Sequence, residues 1–128
     1  MSASALLPRV LTAISVITVL SGITQMVNPG LILGLIGAQT APAARHFFAI
    51  IGMFMLLFGG ALLHELRGPV RQPIVALWAG FQKLGAFAAV SLGVVLAIFS
   101  PLALLVAGFD LLSGVLILWY WHIHRSAR

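Results

Sequence analysis

The sequence is short of charge. Seven Lys and Arg and two Asp and Glu leave only 7% of its 128 residues charged, where an ordinary soluble domain carries about 25%. So few ionised side chains cannot cover a water-soluble surface. Cysteine is absent, which excludes disulfides, iron–sulfur clusters and thiol chemistry. Clustered basic residues are missing as well: the net charge of +5 is spread over single residues at the ends of apolar runs. A nucleic-acid surface needs a basic patch interleaved with aromatics, so the basic excess is a topology signal instead.

What is present is hydrophobic sequence, 62% of the chain, with a mean hydropathy of +1.17. A hydrocarbon layer of about 30 Å takes about 20 apolar residues per helix, so a chain of this length holds about four crossings and no separate extramembrane domain. The expected fold is all-α: a single polytopic four-helix bundle. Crossings are expected over residues 8–27, 46–63, 74–99 and 101–121. Their boundaries are marked by Asn28-Pro29-Gly30, Pro42, Gly68-Pro69 with Pro73, and Ser100-Pro101, since proline suits a helix's first turn and breaks its interior. The apolar stretch over residues 29–38 is too short to cross and is expected as an interfacial helix or re-entrant segment after the first crossing. Arg9 precedes an apolar stretch in the manner of a signal peptide, but the run is long and no small-x-small cleavage site follows it.

Arg9, Arg67, Arg71, Arg125 and Arg128 fall on one side of a four-crossing topology and Arg45 alone on the other, so the positive-inside rule expects both termini in the cytoplasm. Trp78 and the cluster Trp119, Tyr120 and Trp121 fall at the same interface, where amphipathic rings anchor a helix.

Within lipid the hydrophobic effect does not press helix on helix, and close approach at small residues takes over. Gly52 and Gly59 lie seven apart on the second crossing. Ala86, Ala89 and Gly93 are expected to share a face of the third, and Ala103, Ala107, Asp110 and Gly114 a face of the fourth. These faces either build the bundle itself or recruit a partner helix.

Lys83 and Asp110 are the ionisable residues set deep within the expected crossings, and such groups are expensive there. Counted from the aromatic belt, their depths differ by about 8 Å, which a lysine stem can largely cover. Counted from a tight turn at Ser100-Pro101 the mismatch is about 12 Å. Three roles stay open: a structural ion pair or polar clamp, independent snorkelling of Lys83 with Asp110 protonated or hydrogen-bonded elsewhere, and a proton or ion pathway. The pathway has few further polar groups to draw on: Gln25, Gln82, Ser91 and Ser113.

Four histidines raise the question of a metal or haem. His46 and His64 stand at opposite ends of one crossing, about 27 Å apart, so one ion cannot take both. His64 and Glu65 are weak candidates with His122 or His124, whose i,i+2 spacing turns them to different helix faces. No metal or cofactor is expected. Ser15, Ser91 and Ser113 lack an acid–histidine partner at matching depth, no G-x-S-x-G elbow occurs, and Gly59-Gly60 is not followed by the Lys-Ser/Thr of a phosphate loop, so an enzyme is not expected.

Several features together carry a family likeness. They are the short apolar segment after Asn28-Pro29, Arg45 ahead of a helix ending Leu57-Phe58-Gly59-Gly60, the run from Trp78 to Gly85, Phe109 to Gly114, and Trp119-Tyr120-Trp121. In these the last hundred or so residues resemble small bacterial four-helix integral membrane proteins of unknown function, akin to the DoxX-like superfamily. The resemblance implies a four-helix bundle with a short outer helix, a bacterial inner-membrane location, and an accessory role beside other membrane subunits, including respiratory or redox complexes. It implies no chemistry of the chain's own. The expected partners are the lipid bilayer and other membrane subunits or a second copy, with no nucleic acid. The expected function is therefore assembly or stabilisation of a membrane complex; the alternative is a small proton or solute carrier using Asp110 and Lys83.

Overall fold

The computed structural model describes residues 2–126. Arg128, counted above for orientation, lies outside them. The regular structure of the described chain is all helix, without a strand: α1 (Ala3–Val27), α2 (Pro29–Leu35), α3 (Pro42–Arg67), α4 (Pro73–Val95) and α5 (Ala103–His124). All but α2 are long and apolar enough to cross a membrane.

The helix ends follow from local chemistry. α1 starts five residues before the expected position, because the Ser2 hydroxyl accepts the Ala5 N–H and caps it. Pro8 falls close enough to that start to be carried inside the helix. Proline occupies the first turn of α2, α3 and α4, where its missing N–H has no helical partner to lose. α3 therefore starts at Pro42, ahead of the expected residue 46.

α4 stops at Val95, short of the expected residue 99. Its end is a Schellman cap: the Ala97 N–H bonds Val94 O at 3.0 Å and the Ile98 N–H bonds Gly93 O at 2.8 Å. Ala97 takes the left-handed position with φ 58°, unusual for a residue with a Cβ. α2 ends the same way on Gly37, φ 71°, with the Ala38 N–H on Leu33 O at 2.9 Å. The two caps dock, as the Ser100 N–H donates to Ile36 O at 2.8 Å.

The four long helices associate as two antiparallel pairs, α1 with α3 and α4 with α5, and the pairs meet along a thinner seam formed by α3 with α4 and α1 with α5. Each pair closes over glycine. A Cβ on Gly22 would stand 2.6 Å from Gly52 O, and one on Gly52 2.8 Å from Gly22 O, so only bare backbone fits there. Gly59 packs two turns further along α3 against Thr18 and Val19. Across α4 and α5, Gly80 lies under Leu118 and Gly114 under Leu84. Small residues at the crossings let backbones approach, the source of contact where lipid is as apolar as leucine.

The third small-residue face differs from expectation. Ala89 is exposed and touches no bundle face, because α4 turns inward with Ala76, Ala79, Gly80 and Lys83, and Ala89 lies about 120° around the helix from Lys83. Gly93 is buried, but under the ring of Phe99 that folds back from the α4–α5 connection. Ala103 and Ala107 are both buried. The apolar core of Leu7, Leu11, Ile14, Leu62, Ala76, Ala79, Ile117 and Tyr120 fills the seam toward the end bearing both chain termini, the basic end below.

Candidate functional site

Lys83 and Asp110 come together inside the bundle. Lys83 Nζ lies 3.5 Å from Asp110 Oδ1 and donates to Thr18 Oγ1 at 2.8 Å. The two residues are 4% and 7% exposed. The lysine also stands over the Phe109 ring, 5.2 Å from its centroid. Thr18 in turn donates its hydroxyl hydrogen to Ile14 O one turn back, at 2.8 Å. Three helices are thereby joined at one point: α1 through Thr18, α4 through Lys83 and α5 through Asp110.

The early end of α4 brings the charges level. With residues 96–102 forming a connection in place of a tight turn, Lys83 lies about 18 Å from its helix end and Asp110 about 10 Å from its own. The lysine stem spans the remaining difference. Beside the cluster is a cavity of about 10 Å³ lined by Ser15, Thr18, Gln82 and Lys83 among apolar neighbours, no larger than one water molecule requires. Ser113, one turn from Asp110 on α5, has a buried hydroxyl without a hydrogen-bond partner.

A second polar cluster crosses the seam at the basic end. Tyr120 is fully buried and so is not the interfacial anchor expected of it. Its hydroxyl donates to Glu65 Oε1 at 3.2 Å and accepts from Arg71 Nη1, while Glu65 Oε2 accepts the Gln72 N–H at 2.6 Å. Burial pulls the aromatic ring inward, and the phenol needs partners once there. The partners are a buried glutamate at the end of α3 and the loop that follows it. The other expected anchors differ in setting: Trp78 is 60% and Trp119 40% exposed, while Trp121 packs partly against the core and under Arg125.

Of the weak metal candidates, Glu65 is committed to Tyr120 and Gln72. His124 sits with Nδ1 2.9 Å from Tyr120 O and its ring on the tyrosine ring, centroids 4.2 Å apart. His64 and His122 are exposed. Among the described residues no three metal-ligating side chains converge. Gln25, at the opposite end, donates to Phe48 O at 3.0 Å and ties α1 to α3.

Thr18, Gly22, Gly80 and the Glu65–Tyr120–Arg71 cluster were not singled out by sequence. Thr18-x-x-x-Gly22 and Ala76-x-x-x-Gly80 are small-xxx-small pairs and carried a usable signal. Nothing local marks Tyr120, whose partners lie 49 and 55 positions away.

Four apolar spans around a sealed polar cluster define an all-helical multipass membrane protein. No protein-family model, no curated protein and no solved structure matches the chain.

Proposed function

We propose that the chain is a non-enzymatic multipass protein of a bacterial inner membrane, akin to the DoxX-like group, with both termini cytoplasmic and α2 at the outer interface. It stabilises or assembles a larger membrane complex, respiratory or redox complexes included, or associates with itself. One observation carries this: the intramembrane charges are spent inside the bundle, Lys83 on Asp110 and Thr18, in a cluster joining three of the chain's own helices. The adjoining cavity, about 10 Å³, has room for no more than one water and none for a solute. The outer surface supports the same reading, because Gly60, Gly85 and Gly108 have open space where a side chain would be, and bare helix surface admits a neighbouring helix closely.

Crosslinking in native membranes, followed by affinity purification, tests it. The expected product is a complex or a homo-oligomer that Gly85→Leu or Gly108→Leu weakens while leaving the monomer folded. A solitary monomer in native lipid overturns the proposal.

The alternative, a small proton carrier, draws on the uncommitted Ser113 hydroxyl one turn from Asp110. It expects Asp110→Asn to abolish proton flux into liposomes in a protein that still folds. Loss of folding without any wild-type flux counts for the structural role.

A further inference from the structure

At the end of the bundle opposite the chain termini, where α1 gives way to α2 and α3 begins, lies an open cleft of about 420 Å³. Asn28, Pro29 and Gly30 form one side, and Pro42, Arg45 and His46 the other. The Arg45 side chain runs across Gly30, its Cδ 3.4 Å from where a Cβ there would stand. Neither the Arg45 nor the His46 side chain has a hydrogen-bond or ion-pair partner among the described residues.

The charge inventory makes this arrangement incomplete. The sequence contains two carboxylates. Asp110 is taken by Lys83. Glu65 is buried at the other end of α3, held by Tyr120 and Gln72, about 30 Å from Arg45 along the helix. No carboxylate side chain of this chain is therefore available to neutralise Arg45. The cation also stands in the first turn of α3, where the helix field disfavours positive charge and no acidic residue offsets it. An anion in the cleft would satisfy the guanidinium and offset that field together. The Asn28 amide, whose oxygen already accepts the Leu31 N–H, has its nitrogen left to donate.

We propose that this cleft binds a phosphate oxyanion, with Arg45 as its ion-pair partner and His46 and the Asn28 amide as further donors. The planar guanidinium suits two phosphate oxygens at once. The oxyanion belongs either to a phospholipid headgroup, whose acyl chains would lie along the exposed apolar residues Val27 and Ile50, or to free phosphate.

Native mass spectrometry of the full chain released from detergent, with dioleoylphosphatidylglycerol added, tests the site, and thermal melting with that lipid or with inorganic phosphate supplies a second measurement. The expected result is a phospholipid adduct that Arg45→Gln weakens by about ten-fold or more, the equivalent of one charge-assisted contact. Arg45→Lys retains part of it, and Arg67→Gln, at the basic end, leaves it unchanged. A lipid adduct that millimolar phosphate does not displace assigns the site to a headgroup. Displacement, with a melting shift from phosphate alone that Arg45→Gln removes, assigns it to free phosphate. Equal adducts and equal melting shifts in wild type and Arg45→Gln, or none in either, overturn the proposal. Exposed Arg45 is not needed for folding, and matched melting temperatures without added anion check this.

Discussion

Replacing Lys83 by methionine keeps the length of the stem and removes the ammonium, leaving Asp110 without its charge partner and Thr18 Oγ1 without its donor. Two unit charges 3.5 Å apart attract by about 5 kcal/mol at an effective dielectric constant of about 20. Desolvation has already consumed much of that, so the net worth of the pair is small while the cost of stranding either member is about 3–5 kcal/mol. Lys83→Met and Asp110→Leu should each destabilise the bundle by amounts in that range. The double variant, with an apolar pair in their place, should stand within about 1 kcal/mol of wild type. The coupling is then at least about 5 kcal/mol, well outside the additivity expected of independent sites. Reversible unfolding in mixed micelles, followed by tryptophan fluorescence, measures all four species of the cycle. Single variants that each cost under about 0.5 kcal/mol and add in the double would refute the clamp, because a lysine snorkelling on its own leaves Asp110 indifferent to its loss.

Gly22→Val sets side-chain atoms against Gly52 O and the Leu56 backbone, so α1 and α3 must part; the expected loss is about 1–3 kcal/mol or more, read by thermal melting against Gly60→Ala, which meets open space and should be neutral. Tyr120→Phe removes the donor to Glu65 and the acceptor for Arg71 and should cost about 1–3 kcal/mol, with faster proteolytic cleavage in the loop over residues 68–72. Ala97→Gly relieves a left-handed φ of 58° and should raise stability by about 0.5–1 kcal/mol, visible as a higher melting temperature.

The four spans were legible because runs of about 20 apolar residues bounded by proline have no other stable setting. Proline placed the starts of α2, α3 and α4 near where they lie, since it acts through its own missing N–H and needs no distant partner. The end of α4 was hidden for the opposite reason. Ala97 gives no sign of a left-handed cap, and the depth of Lys83 relative to Asp110 depends on that one turn. Helix faces were harder still: alanine and glycine are compatible with lipid, with a neighbouring helix or with a folded-back ring, so Ala89, Ala79 and Gly93 look alike in sequence and have three different surroundings. Tyr120 read as a belt residue because two tryptophans flank it, yet its place is set by Glu65 and Arg71 on another helix and loop.

The Thr18 hydroxyl has a single hydrogen, and Ile14 O holds it. What Thr18 offers Lys83 is therefore a lone pair, and the bonds run in one direction, from ammonium to hydroxyl to peptide carbonyl. A peptide oxygen is far too weak a base to take up a proton and pass it on, so the line is electrically useful and chemically closed: it spreads the lysine's positive charge into the dipoles of α1 without giving protons a way through that helix. Of the two hydrogen-bond partners of Lys83, only the Asp110 carboxylate can take up its proton, and one turn along α5 from that carboxylate the Ser113 hydroxyl stands free.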